Sequence, residues 1–159
     1  MIEKEIADIY STEKIVKIKS ELTEALQHYQ RALKVSTPDK YPKSYALVHN
    51  NLGLAYVKLA YFTNDKNDIL KAIRAYEEAL KIRTPEEYPI KHFLLQKALG
   101  DTYYQLSIKE SSEENISKAF DAYQKFLEIE SYTNECRDIE EMCQEVKDKM
   151  ERIKNRKRK

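Results

Sequence analysis

Glycine and proline are scarce, with two and four copies respectively among 159 residues. That leaves little material for tight β-hairpin turns and favours long helices. No apolar stretch reaches the roughly 20 residues that span a bilayer, and the opening MIEKEIADIY lacks the basic start and apolar run of a secretory leader. The expectation is a cytoplasmic protein with no membrane contact. Net charge is only +1, so no overall field selects nucleic acid or an anionic surface. Cysteine is limited to Cys136 and Cys143, seven positions apart in one helical segment. Two helical turns separate them by about 10 Å, beyond the roughly 7 Å a disulfide tolerates, so no intrachain bridge forms while that helix is intact. Apolar filler is the expected role, with a metal pair or an intermolecular disulfide as the alternatives.

Catalytic signatures are missing as well. There is no HExxH, no CxxC and no glycine-rich phosphate loop, and His28, His49 and His92 do not pair at ligand spacing. His49 is expected to be a partly buried packing residue, and His28 and His92 to be solvated. Glu77-Glu78 and Glu86-Glu87 are adjacent carboxylates, which diverge by about 100° on a helix and cannot share one site. No enzyme activity, metal, cofactor or small-molecule substrate is expected.

What the chain does have is repetition. ALQHYQRALKVSTP at 25–38 returns as AIRAYEEALKIRTP at 72–85 and as AFDAYQKFLEIES at 119–131. Ala25, Ala72 and Ala119 stand 47 apart, as do Tyr29, Tyr76 and Tyr123, and Leu33, Leu80 and Leu127. Tyr41-Pro42 and Tyr88-Pro89, Leu52-Gly53 and Leu99-Gly100, and Tyr56 and Tyr103 keep the same step. A fixed period of this size denotes stacked supersecondary units. Charged residues make up 35% and hydrophobic ones 42%, enough for a soluble chain with a buried core.

Within each unit, apolar residues recur at three- and four-residue steps, the mark of a helix face. Tyr45, Val48, Leu52, Ala55, Tyr56 and Leu59 predict a helix over about 42–62, and Phe93, Gln96, Leu99, Thr102, Tyr103 and Leu106 its copy over 89–109. Shorter helices are predicted over about 20–35, 67–82 and 114–130. Thr84-Pro85-Glu86-Glu87 reads as a capping box opening one short turn, and Thr37-Pro38-Asp39-Lys40 as its less complete partner. Asn64-Asp65-Lys66-Asn67 and Ser111-Ser112-Glu113-Glu114 supply the other breaks and caps. Ile2, Ile6, Ile9 and Tyr10 suit a separate N-terminal helix in a degenerate first unit. Cys136, Ile139, Cys143, Val146, Met150 and Ile153 suit a terminal helix over about 134–154. The last six residues carry five basic ones, either a solvated frayed end or a run that attracts phosphates.

The motifs resemble the tetratricopeptide repeat. Leu52-Gly53-x2-Tyr56 and Leu99-Gly100-x2-Tyr103 match the first half of its pattern, and Ala25-x3-Tyr29-x2-Ala32 and Ala72-x3-Tyr76-x2-Ala79 the second. The third copy reads Ala119-x3-Tyr123-x2-Phe126. The match covers about residues 20–131 well and the ends weakly. The period is 47 instead of about 34, and His49 and Gln96 replace the large aromatic before Leu-Gly. The resemblance implies an all-α, right-handed helical-repeat solenoid of antiparallel helix pairs with a C-terminal capping helix. The domain would occupy 1–153, with units about 1–37, 38–84 and 85–131, a cap about 134–153 and a basic tail 154–159.

In that family the first helix of each pair lines a concave groove that takes a partner peptide. Carried over, the resemblance points to Asn50, Leu54, Val57 and Lys58, and to Lys97, Asp101, Tyr104 and Gln105. Asn50 would bond a peptide backbone, Lys58 and Lys97 would meet acidic groups, and Leu54, Val57 and Tyr104 would hold an apolar anchor. Asp101 stands where a carboxylate-clamp asparagine is expected, so a chaperone tail is not the predicted ligand. The expected function is a non-catalytic scaffold binding a partner protein or peptide. A homodimer formed through the C-terminal stripe or the first repeat is the alternative, and nucleic-acid contact through the basic tail a further one.

Overall fold

The computed structural model describes residues 2–132 and 137–156, with side chains described over 12–132 and 137–155. Among these residues the chain is all helical: α1 (Ile2–Leu33), α2 (Pro42–Thr63), α3 (Lys66–Leu80), α4 (Pro89–Glu110), α5 (Glu113–Leu127), a 3-10 turn (Glu128–Ser131) and α6 (Arg137–Arg156). Cys136, the last three residues of the basic tail and the N-terminal side chains of Ile2, Ile6, Ile9 and Tyr10 lie outside the described set.

The 47-residue step is kept by the backbone itself. Pro42 and Pro89 open α2 and α4, where a missing N–H costs nothing. The preceding caps, Tyr41 and Tyr88, have φ of −139° and −138°. Before each, a threonine closes a single turn: Tyr41 N–H donates to Thr37 O and Tyr88 N–H to Thr84 O, both at 2.9 Å. The hydroxyls of Thr37 and Thr84 accept from Lys40 and Glu87 backbone N–H at 3.3 and 3.4 Å. The threonine half of the predicted capping box therefore forms, on a turn and not on a helix. At the other ends Asn64 and Ser111 take left-handed conformations, φ 56° and 50°, which free the chain to reverse within two residues. Asp65 and Ser112 then cap α3 and α5 by accepting from the backbone of Asn67 and Asn115.

Packing repeats with the same step. Tyr76 of α3 lies over Gly53 of α2, and Tyr123 of α5 over Gly100 of α4. A Cβ at Gly53 would stand 2.4 Å from the Tyr76 ring, and one at Gly100 2.6 Å from the Tyr123 ring. Both rings are buried. Glycine is required here because an aromatic face replaces the side chain.

Three apolar clusters follow one another along the chain. The first joins Leu26 of α1 to Leu52 and Ala55 of α2 and Ala75 of α3. The second joins α3 to α4 through Ile69, Ile73, Tyr76, Leu95 and Leu99. The third joins Phe93, Tyr123, Phe126 and Ile129 to Ile139, Val146, Met150 and Ile153 of α6. The clusters thus link successive helices from α1 to α6. Cys143 is buried in the third, where burial, and then the charge of Glu130, push its thiol pKa up. It fills space, as the sequence suggested.

The N-terminus departs from expectation. A separate N-terminal helix followed by a helix over about 20–35 is replaced by the continuous α1, Ile2–Leu33. The physical reason is local: residues 11–20, STEKIVKIKS, contain neither glycine nor proline nor a paired cap such as those between α2 and α3. Nor does a glycine precede Tyr29 by 23 positions, as Gly53 precedes Tyr76; Ile6 stands there. Ile15 and Val16 are consequently exposed on α1.

Candidate partner-binding groove

Helices α2 and α4 bury one face each in the clusters above and leave a second face open. On α2 the open face carries Leu47, Leu54 and Tyr61, at seven-residue steps and with exposures of 53%, 47% and 79%. On α4 the positions 47 residues later are Leu94, Asp101 and Ile108, with the two apolar side chains 38% and 59% exposed. Seven-residue spacing keeps side chains on one side of a helix, so each helix presents a row.

Asn50, half-buried, donates through Nδ2 to Asn51 Oδ1 at 3.4 Å. It lines a cavity of about 220 Å³ with Leu47, Lys91, Leu94, Leu95 and Arg83. Leu54 and Lys58 are exposed, while Val57 is half-buried against the second apolar cluster. Tyr104 packs partly against the third cluster and borders a second hollow with Ser107, Ile108, Ile116 and Ile153. Gln105 is half-buried.

Lys97 and Asp101 are brought together and tied to the last helix. Lys97 Nζ is 3.0 Å from Asp101 Oδ2 and 3.7 Å from Glu145, and its side chain is only 15% exposed. Lys149 Nζ and the Tyr123 hydroxyl both donate to Asp101 Oδ1, at 2.9 and 2.8 Å, and Lys149 also reaches Glu145 at 2.6 Å. Burial alone would raise the Asp101 pKa, but the donors Lys149 and Tyr123 and the Lys97 charge outweigh it and hold the carboxyl below its ordinary range. Tyr123 is pushed far up, first by burial and then by the Asp101 charge. Lys97 is thus not a free cation awaiting a ligand; its charge is met inside the fold.

The face of α2 turned toward α3 holds His49. Its ring lies 4.4 Å from that of Tyr45, whose hydroxyl donates to Glu78 at 2.8 Å. His49 is half-buried, as expected of a packing residue, and its Nδ1 has no hydrogen-bond partner among the described residues. Burial lowers its pKa below 6.5; Glu78 opposes this and Lys81 adds to it. A histidine whose folded pKa is depressed contributes stability above its unfolded pKa and loses it as pH falls below that value. The urea midpoint should therefore be lower near pH 5.5 than near pH 7.5, and the drop should shrink in His49→Gln. An equal drop in both proteins would place its source elsewhere.

The other histidines divide. His28 is exposed beside Glu24, as expected. His92 is not solvated: it is half-buried, and its Nδ1 is 2.7 Å from Arg83 O, a link across the α3–α4 connection. No set of three or more His, Cys, Asp or Glu among the described residues is placed to hold a metal ion, and no described helix is long and apolar enough to cross a membrane.

Sequence reasoning passed over Leu47, Leu94, Tyr61, Ile108, Arg83 and Lys91. The signal for the first four was present, since each pair keeps the 47-residue step with apolar character. These residues recur on the open face, so recurrence alone does not mark burial. Protein-family models gave no match to the chain, nor did searches of the curated proteins and of the solved structures.

Proposed function

We propose that the chain is a non-catalytic interaction module, a right-handed stack of antiparallel helix pairs of the tetratricopeptide type capped by α6. Its open α2–α4 face takes a peptide segment of a partner protein. One observation carries this reading: five large apolar side chains, Leu47, Leu54, Tyr61, Leu94 and Ile108, stay exposed in register on two helices that wall one cavity. Single exposed apolar residues are ordinary, whereas an ordered row supports a binding surface. The spacing of the row suits the side chains of an extended or helical segment laid across the helices.

A displayed library of random peptides tests it. Enriched peptides should bind the folded protein, and Leu54→Asp with Leu94→Asp should weaken them at least about tenfold, since each leucine contributes apolar burial on binding. The melting temperature should stay within a few degrees, because both positions are exposed. Peptides whose affinity is unchanged by the double substitution, or a library that yields none, would count against the groove.

A further inference from the structure

The cavity at the N-terminal end of this face has a charge character that its neighbours lack. Arg83 is only 7% exposed, yet it has no carboxylate partner among the described residues. Its guanidinium is stacked on the Tyr88 ring at 4.6 Å, and its backbone is held by Ala79 O and by His92. It lines the cavity together with Lys91, which is exposed and likewise without an ion pair among the described residues, and with the Asn50 amide. No acidic residue lines that cavity; its remaining walls are Ala46, Leu47, Leu94 and Leu95.

The positions 47 residues earlier provide an internal comparison. Ser36 and Ser44 occupy the places of Arg83 and Lys91, and their hydroxyls bond each other at 2.9 Å. The earlier copy is self-satisfied. The later copy replaces both hydroxyls with cations, neither of which has an ion pair among the described residues. Arg83 is largely buried, yet its guanidinium nitrogens are not among the buried unpaired atoms, so its free N–H groups face solvent, where an incoming anion would meet them.

We infer that this cavity is a recognition pocket for an acidic side chain of a partner peptide, with an adjacent apolar side chain seated between Leu47 and Leu94. The inference rests on the groove reading above and specifies its ligand. A guanidinium pairs with a carboxylate through two parallel N–H···O bonds. Tyr88 holds the fork in place before the ligand arrives, so little side-chain freedom is lost on binding. Lys91 at the rim adds attraction that salt screens, and Asn50 offers an amide to the peptide backbone. A single negative charge suits the apolar walls better than the double charge of a phosphate.

The test uses three pools of labelled peptides, random except for a central Leu-Glu, Leu-Gln or Leu-phosphoserine, titrated against the full chain. The Leu-Glu pool should bind at least about tenfold more tightly than the Leu-Gln pool. Arg83→Gln should remove that preference, Arg83→Lys should restore part of it, and Lys91→Gln should weaken binding and flatten its salt dependence. If Arg83→Gln fails to fold, Lys91→Gln decides, because that exposed side chain supports no core packing. Equal binding of the Leu-Glu and Leu-Gln pools, with Leu54→Asp and Leu94→Asp still abolishing it, would overturn the acidic pocket and leave the groove standing. Preference for phosphoserine would overturn the carboxylate assignment. Absence of binding by all three pools would remove both readings.

Discussion

Alanine at position 100 is expected to destabilise the protein by about 1–3 kcal/mol, although alanine is the better helix former by about 0.5–1 kcal/mol. Its methyl group would stand 2.6 Å from Tyr123 Cδ1 and 2.7 Å from Cε1. The ring cannot swing aside, since it is fully buried and its hydroxyl is bonded to Asp101. Removing the ring should therefore reverse the sign. Tyr123→Ala alone should cost about 3–5 kcal/mol, as truncation of a buried aromatic does. In that background Gly100→Ala should stabilise, because the clash is gone and only helix propensity remains. Urea denaturation of the four proteins measures the coupling directly. A Gly100→Ala cost that is the same with and without Tyr123 would show that the ring does not rest on the glycine. Gly53 and Tyr76 form a second cycle of the same kind, with the tighter approach of 2.4 Å.

That pairing explains why so much of the fold was legible. Leu-Gly and Tyr at a constant phase are not independent matches: the glycine exists to seat the tyrosine, so the period in sequence is a period in contacts. The breaks were legible for the same reason. Asn64-Asp65 and Ser111-Ser112 each combine a left-handed residue with a side-chain cap, and both roles belong to short polar side chains. The first unit misled because its tyrosine recurs without its glycine, and residues 11–20 supply no break. Tyr29 is accordingly only half-buried, on a helix that runs through.

The open faces of α2 and α4 were legible only in part. Face positions follow from helical phase: Leu54 and Lys58 are exposed on α2, and Asn50 is half-buried beside the cavity. Charge partners do not follow from phase. Lys97 and Asp101 are joined to each other by four-residue spacing, but Glu145 and Lys149 come from a helix 44 or more positions later. Arg83 lies in a connection, outside any helical pattern, and only the packing of Tyr88 over it reveals that it is buried.

Ending the chain after Tyr132 is expected to abolish cooperative unfolding, the largest effect foreseen. Helix α6 buries Ile139, Cys143, Val146, Met150 and Ile153 against Phe93, Tyr123, Phe126 and Ile129. Fully burying an Ile, Val or Met side chain is worth about 1.5–3 kcal/mol, so Ile139, Val146, Met150 and Ile153 together approach the roughly 5–15 kcal/mol of a whole domain's stability. The truncation also exposes the partner face of the third cluster, which favours aggregation. It strips Lys149 and Glu145 from the Asp101 cluster as well, leaving Lys97 and Tyr123 as its partners. A comparison at the other end isolates the cause: Val16 is 61% exposed on α1, so Val16→Ser should shift stability by no more than about 0.5 kcal/mol. Circular dichroism melts with light scattering distinguish the cases. A truncated protein that still unfolds in one sharp transition near the full-length midpoint would show that α6 is an appendage, and that Lys97 and Asp101 owe nothing to it. Loss of the transition would make α6 the element that completes the core and, through Glu145 and Lys149, braces the Lys97–Asp101 pair.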